Sequence, residues 1–467
     1  MLNFKTKISY GIGGICDNAL YTLTGTYLLI YLTTVVGLNP TLAGFISAIG
    51  SVWEAIVAPV IGFKSDSTIS RYGKRKPFLL VSSIPLAIVT SLLFTTIHAG
   101  VIVKGIYYSV MIILFWTFFS SEFIPYLSWG ADLTEDYNER TVLRSYSYVF
   151  NQIGMLIGMV LPSIIIDYVM NLGKSTEVSW SVVGIFVGVC SALSLIICGL
   201  SIKKTDVKDF VKEGKEKFVS LKEFKGMFKE YGKILTLKPL IPLILASMFY
   251  LIANTIFSSS RVFFMTYNLG SSEKFISLVM FIITVSGVLF VPIISFLSKK
   301  IDKRIVFMFG IGISGIVLVL FRFINPNVII TCLIYSVANT CYWQLMPSMM
   351  YDVCMVQELK EHESHSGAVI SVQALSESLS IALGIQALGI ILDKSGFDEN
   401  SLIQTENALK EVSNTFTLIP GIFMALVIIF MCFYPINKEN FKKISGEVEK
   451  QRNGEEIDIL GIEKLIK

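Results

Sequence analysis

The sequence predicts an all-α membrane protein of twelve transmembrane helices in two six-helix halves, with the N- and C-termini both cytoplasmic. Three observations predict it. Of 467 residues, 53% are hydrophobic and only 16% charged, with mean hydropathy +0.66, whereas soluble domains carry about 25% charged residues. The charges are also unevenly placed: none occurs in 18–53, 77–103, 145–166, 178–202, 239–260, 275–298, 323–351 or 412–437, with shorter gaps at 105–121 and 305–321. A spanning helix needs roughly 20 apolar residues. Finally, with the N-terminus inside, 32 of the 39 Lys and Arg fall on inward-facing segments, as the positive-inside rule requires. A disordered chain, a secreted disulfide scaffold and a soluble enzyme are excluded.

Turn signals divide the apolar runs into spans near 9–36, 41–63, 77–98, 103–130, 145–169, 179–201, 240–267, 275–298, 304–324, 327–353, 367–392 and 413–435. The 18–53 run is too long for one helix, and Gly37-Leu38-Asn39-Pro40 breaks it. Span eleven is interrupted by Glu377. The predicted organisation is an N-terminal half over 1–201, a cytoplasmic linker over 202–238, a C-terminal half over 239–435 and a cytoplasmic tail over 436–467. The linker is Lys-rich with interleaved acids (Lys203, Lys204, Lys208, Lys212 and onward). It reads as a solvated amphipathic segment, with contact to anionic lipid headgroups as the rival reading. Lys5 and Lys7 precede a stretch that runs on into a span, so no cleavable signal peptide is expected.

Enzyme chemistry finds no footing in the residues. The seven cysteines, odd in number, lie in or beside apolar runs and read as packing residues. His362-x-x-His365 lacks zinc-hydrolase spacing. No catalytic residue, metal site or cofactor is expected. A weak internal repeat does appear: the basic loop Ser65-Asp66 to Lys76 is answered by Lys299-Lys300-x-Asp302-Lys303-Arg304, and Pro125 through Asp132 by Pro347 through Asp352. Parallel halves of this kind build major facilitator transporters, which bind solute near the midplane.

Several stretches resemble the glycoside–pentoside–hexuronide:cation symporters, the melibiose permease-like sugar transporters. They are Lys7-Ile8-Ser9-Tyr10-Gly11-Ile12-Gly13, Thr34-Val35-Val36-Gly37-Leu38, Trp53-Glu54-Ala55-Ile56-Val57-Ala58-Pro59, Ser70 through Pro77, Ile124-Pro125-Tyr126, Asp132-Leu133-Thr134, Glu139-Arg140 and Ser371-Val372-Gln373. The resemblance implies the major facilitator fold and solute–cation symport. It also implies a pair of cation-coupling carboxylates on helix two, here Glu54 and Ala58, so the alanine removes a Na⁺ ligand and favours H⁺. The acids expected on helices one and four align with Asn18 and Phe123, while Asp17 and Glu122 sit one residue earlier, a rotation of about 100°. The helix-eleven lysine is Ser378, and the helix-four aromatic is Leu127.

Ionisable residues inside spans are functional candidates by default. Coupling falls to Glu54 and Asp17, with a structural hydrogen-bonded acid as the bland alternative. The candidate substrate contacts are Asp17, Asn18, Tyr21, Glu122, Tyr126, Arg261, Trp343, Gln373 and Glu377. Their aromatics suit either stacking on a sugar ring or ordinary packing. Arg261 either grips an anionic group with its planar fork or pairs with Glu377 or Glu122. Asp66, Arg71, Lys74 and Arg75 form a candidate conformational latch, unless the basic residues are only a topology signal. The expected function is symport of a glycoside-like solute with H⁺, or less favourably Na⁺, in the cytoplasmic membrane. The alternatives are an uncoupled facilitator, an exporter of an amphipathic or drug-like solute, and a sensor, for which the tail is short. The expected partners are the solute and membrane lipids, with no nucleic acid, and the chain is expected to be monomeric.

Overall fold

The computed structural model describes residues 2–68, 70, 72–134, 136–202, 232–324, 327–397 and 403–458. Most of the linker and the latch candidate Arg71 lie outside them. The membrane helices are α1 (Phe4–Ile30, continued by a π-helical turn, Tyr31–Val35), α2 (Pro40–Ser67), α3 (Lys76–Leu93), α4 (Val101–Leu133), α5 (Tyr137–Asn171, interrupted at Val160), α6 (Thr176–Ser201), α7 (Leu240–Phe263, with the π-helical Phe264–Asn268), α8 (Glu273–Lys300), α9 (Lys303–Ile324), α10 (Val328–Glu361), α11 (Ser366–Ser395) and α12 (Glu406–Cys432, with a π-helical turn at Asn414–Leu418). Eleven are long and apolar enough to cross a membrane. The twelfth, α1, is of spanning length but carries Lys5, Lys7 and Asp17. A shorter helix, α13 (Lys438–Asn453), follows α12.

Local chemistry explains the boundaries. Gly37 takes φ +76°, a left-handed conformation that favours glycine, and the Asn39 side chain then caps α2 by accepting from Leu42 N at 2.8 Å. Pro40 occupies the first turn, where its missing N–H costs nothing. Ser175, Ser272, Thr405 and Asn437 cap α6, α8, α12 and α13 in the same manner. Helices α4, α5 and α10 run past their predicted spans with charged turns. On α5 the added charges are buried, Glu139, Arg140 and Arg144 all being under 6% exposed, whereas Asp132 of α4 and Glu358 of α10 are only half-buried and ion-paired with Arg75 and Arg452.

The chain forms two compact units: Met1–Glu230 with His365–Val372, and Tyr231–Ser364 with Gln373–Lys467. The first two turns of α11 thus pack in the first unit. Within it α1 lies on α5 and α6, α3 on α4 and α6, and α2 on α4. Within the second, α7 lies on α12, α9 on α10 and α12, and α8 on α10. Apart from the α1–α5 contact, the pairings repeat six helices later. Each unit carries a tyrosine stack between its first and fourth helices, Tyr10–Tyr126 at 4.7 Å and Tyr250–Tyr342 at 4.2 Å.

Close backbone approach sets the α9–α12 crossing. A Cβ on Gly315 would stand 2.6 Å from Gly421 O and 2.5 Å from Ala425 N, both backbone atoms that have no rotamer to yield. Gly315→Ala is therefore expected to lower stability by about 1–3 kcal/mol, as overpacking does. Thermal unfolding of the purified protein checks this, and an unchanged transition would show that α12 shifts freely.

Candidate functional site

Ser65 and Asp66, in the last turn of α2, and Asp132 of α4 converge on one buried cation. Arg75, 2% exposed, ends the turn that leads into α3. Its Nε donates to Asp132 Oδ2 at 3.0 Å, Nη1 to Ser65 Oγ at 2.6 Å, and Nη2 to Asp66 Oδ1 at 2.5 Å and Ser366 Oγ at 2.6 Å. Asp66 in turn accepts the first backbone amides of α11, from Gly367 and Ala368, each at 2.8 Å. A carboxylate there satisfies orphan N–H groups and complements the helix dipole. Burial alone would lower the Arg75 pKa, but Asp66 and Asp132 outweigh it and raise it above the ordinary value. The approach needs glycines: a Cβ on Gly62 would stand 2.6 Å from Gly367 O. Of the expected latch residues, the structure brings Asp66 and Arg75 together. Lys74 is half-buried and makes no ion pair among the described residues. Asp132, Ser65 and Ser366 join them. Asp132 was visible as a motif, whereas the α11 amides carry no sequence signal.

The second unit repeats the device with other residues. Lys303 and Asp352 form a buried pair at 2.5 Å, and Lys303 Nζ donates to Ser348 Oγ at 3.0 Å. Asp302 accepts the Lys438 amide of α13 at 2.8 Å. That helix buries Phe441, Ile444 and Val448 and is pinned by Arg452, whose Nε and Nη2 donate to Glu358 at 2.6 and 2.9 Å.

Deeper in the first unit, α1 and α4 place two carboxyl groups together. Glu122 is fully buried, and neither of its oxygens has a hydrogen-bond partner among the described residues. The Asp17 carboxylate and the Cys16 thiol are the groups acting on it. Asp17 is half-buried and lies in the field of Arg144. Asn151 of α5 directs its amide nitrogen to Gly14 O at 2.8 Å and Ser147 O at 3.2 Å. The other end of that amide stands 3.4 Å from Asp17 Oδ2. Two carboxylates at one buried site resist carrying two charges, so the pair is suited to taking up one proton. In this structure Glu122 meets protein rather than solvent. Tyr126 is placed alike. It is fully buried, stacked on Tyr10, and its hydroxyl donates to Tyr10 O at 2.9 Å beside Ser147 Oγ at 2.5 Å.

The remaining candidates are accessible to differing degrees. Glu54 is half-buried on α2, beside Trp53, whose indole donates to Thr117 Oγ1 at 2.8 Å, and Ala58 one turn on is buried. Asn18 is half-buried. Tyr21 is exposed, edge-on to Trp116. In the second unit, Glu377 Oε1 accepts from Gln373 Nε2 at 2.8 Å and Tyr342 OH at 3.4 Å. Trp343 is half-buried, edge-on to Tyr342. Arg261 does not pair with Glu377: among the described residues it makes no ion pair, and its Nε is buried without a partner. No group of metal-ligating side chains occurs among the described residues.

Residues 9–438 match the model of a family described as MFS/sugar transport protein. The chain is 29% identical over 462 residues to the uncharacterized symporter YjmB of Bacillus subtilis (strain 168), covering 96% of each chain. It is 24% identical to the glucuronide carrier protein homolog of Escherichia coli (strain K12), covering 97% of this chain and 96% of that one. Among solved structures, the proton:xylose symporter XylE bound to 6-bromo-6-deoxy-D-glucose aligns with TM-score 0.62 at 14% identity, over 94% of this chain and 98% of the other. That likeness is one of fold.

Proposed function

Because the chain belongs to the MFS/sugar transport protein family, we propose that it is a symporter carrying a glycoside-like solute across the plasma membrane by alternating access, driven by H⁺. It is a multi-pass membrane transporter with the major facilitator fold. The observation that carries the proton assignment is the fully buried Glu122 carboxyl in the field of the half-buried Asp17. Among the described residues the only donor beside Glu122 is the weak Cys16 thiol, which suits a carboxyl group that loads and releases a proton. The Asn151 contact supports the same reading. With its nitrogen on two backbone carbonyls, the amide turns its oxygen to Asp17, and a hydrogen bond there needs a proton on the acid. Glu54 on α2 is the second coupling group, and Ala58 one turn on leaves a Na⁺ ion short of an oxygen ligand. Asp66 and Arg75 hold the start of α11 in one state of the cycle and release it in the other. Both termini lie in the cytoplasm, following the basic residues.

Uptake into proteoliposomes tests this. A panel of labelled glycosides is offered under an imposed inward H⁺ gradient, an inward Na⁺ gradient, or neither. Accumulation above equilibrium is expected with H⁺ and is expected to collapse on adding a protonophore. Glu54→Gln is expected to cut that accumulation at least tenfold while leaving exchange of preloaded solute. Failure of every glycoside to enter, with export of amphipathic dyes instead, would remove the sugar assignment.

A further inference from the structure

One face of α7 is polar along most of its length. Ser247, Tyr250, Asn254, Ser258 and Arg261 follow one another at intervals of three or four residues, so they form a single stripe on an otherwise apolar helix. Helix α10 answers it with Tyr335, Asn339 and Tyr342. Ser247 pairs with the Tyr342 hydroxyl at 2.6 Å, Tyr250 OH donates to Asn339 Oδ1 at 3.0 Å, and Ser258 pairs with Tyr335 OH at 3.1 Å. Tyr335 OH donates to Asn254 Oδ1, and the Tyr250 hydroxyl lies 3.4 Å from the same oxygen.

Two sets of donors on the stripe stay unclaimed. The Asn254 amide nitrogen has no protein acceptor among the described residues, because its oxygen faces both tyrosines. The Arg261 guanidinium has neither a carboxylate nor any other hydrogen-bond partner there, and its Nε is buried. The groups of α10 in its field are Cys332 and Tyr335, both buried in the second unit. Arg261 therefore faces protein on the stripe's side. Arg322 on α9 contrasts with it, since its Nε is occupied by Asn414 Oδ1 at 2.7 Å. Arg261 also sits about 10 Å along the helix axis before Asn268, where α7 ends. An uncompensated cation at that depth is costly and marks a functional position.

We propose that Arg261 and Asn254 form a subsite for an anionic solute. The guanidinium binds a carboxylate or sulfonate with its planar fork, and the Asn254 amide donates to a hydroxyl oxygen two turns away, about 10 Å along the axis. The proposal rests on the glycoside-transport reading and adds that the transported sugar carries a negative charge. Arg261 sets charge selectivity, separately from the proton-coupling acids of the first unit.

The test is uptake by the full-length chain in proteoliposomes of two probes that differ in one group, 4-nitrophenyl β-D-glucuronide and 4-nitrophenyl β-D-glucoside. The wild type is expected to favour the glucuronide at least tenfold in kcat/KM. Arg261→Gln is expected to raise KM for the glucuronide at least tenfold and to leave the glucoside unchanged, with partial recovery in Arg261→Lys. Equal handling of both probes by the wild type would overturn the anionic subsite while sparing glycoside transport. An Arg261→Gln variant that loses both alike would overturn it too, showing a structural role. Uptake of neither probe by the wild type would remove the subsite and the glycoside reading together.

Discussion

Arg75→Ala is expected to lower the stability of the purified protein by about 3–5 kcal/mol, the usual cost of stripping one partner from a buried ion pair. Two carboxylates depend on this guanidinium. Asp66 and Asp132 lose their cation, and the Ser65 and Ser366 hydroxyls lose a charged donor. Because Arg75 is 2% exposed, water does not readily replace it. Arg75→Lys keeps the charge but not the fork, so it is expected to fall between wild type and alanine. Thermal or denaturant unfolding in one fixed detergent reads all three. An alanine variant within about 0.5 kcal/mol of wild type, the range of ordinary surface substitutions, would show that the cluster is not the buried network described. Transport by the same variants separates stability from gating: a latch that matters to the cycle changes the rate even in the lysine variant.

Glu122→Gln is expected to abolish H⁺-driven accumulation, at least tenfold, while unfolding no earlier than the wild type. The amide has the shape of the acid but carries no exchangeable charge. It also replaces a carboxyl group whose one donor among the described residues is the weak Cys16 thiol, and the amide oxygen can still accept from it. Asp17→Asn is expected to impair accumulation as well, and the double variant to be little worse than either single one, since groups acting as a unit are non-additive. Exchange of preloaded solute without a gradient checks that the transport path survives. Intact H⁺-driven accumulation in Glu122→Gln would exclude Glu122 from coupling.

The fold was legible because hydropathy and breakers act locally. Every predicted span has its helix, and Gly37 to Pro40 breaks the long first run where expected. The ends of α4, α5 and α10 were not legible. Glu139 and Glu358 look solvated in a one-dimensional reading, and their helices are extended through partners such as Lys7, 2.5 Å from Glu139, and Arg452, 2.6 Å from Glu358. The candidate site divides the same way. Asp66 and Arg75 stand in one recognisable stretch of sequence, but their partners on α4 and α11 are remote in sequence, and backbone amides have no residue signature. Tyr126 looked like a solute contact because an aromatic on a membrane helix has the same one-dimensional signature whether it lines a cavity or packs. In this structure it stacks on Tyr10. Arg261 was singled out as a charge inside a span, while the absence of an acid beside it became visible only in three dimensions.

The docking of α13 bears on how the protein is made. Residues 438–453 leave the ribosome after all twelve membrane helices, so those helices enter the bilayer before their last cover exists. Until then Glu358 lacks its Arg452 partner, and the binding place of Phe441, Ile444 and Val448 is open. Arrival of the tail then gives Asp302 a backbone amide and Glu358 a guanidinium. A nascent chain stopped within residues 438–453 would keep that apolar patch exposed, which is the kind of surface chaperones and proteases recognise.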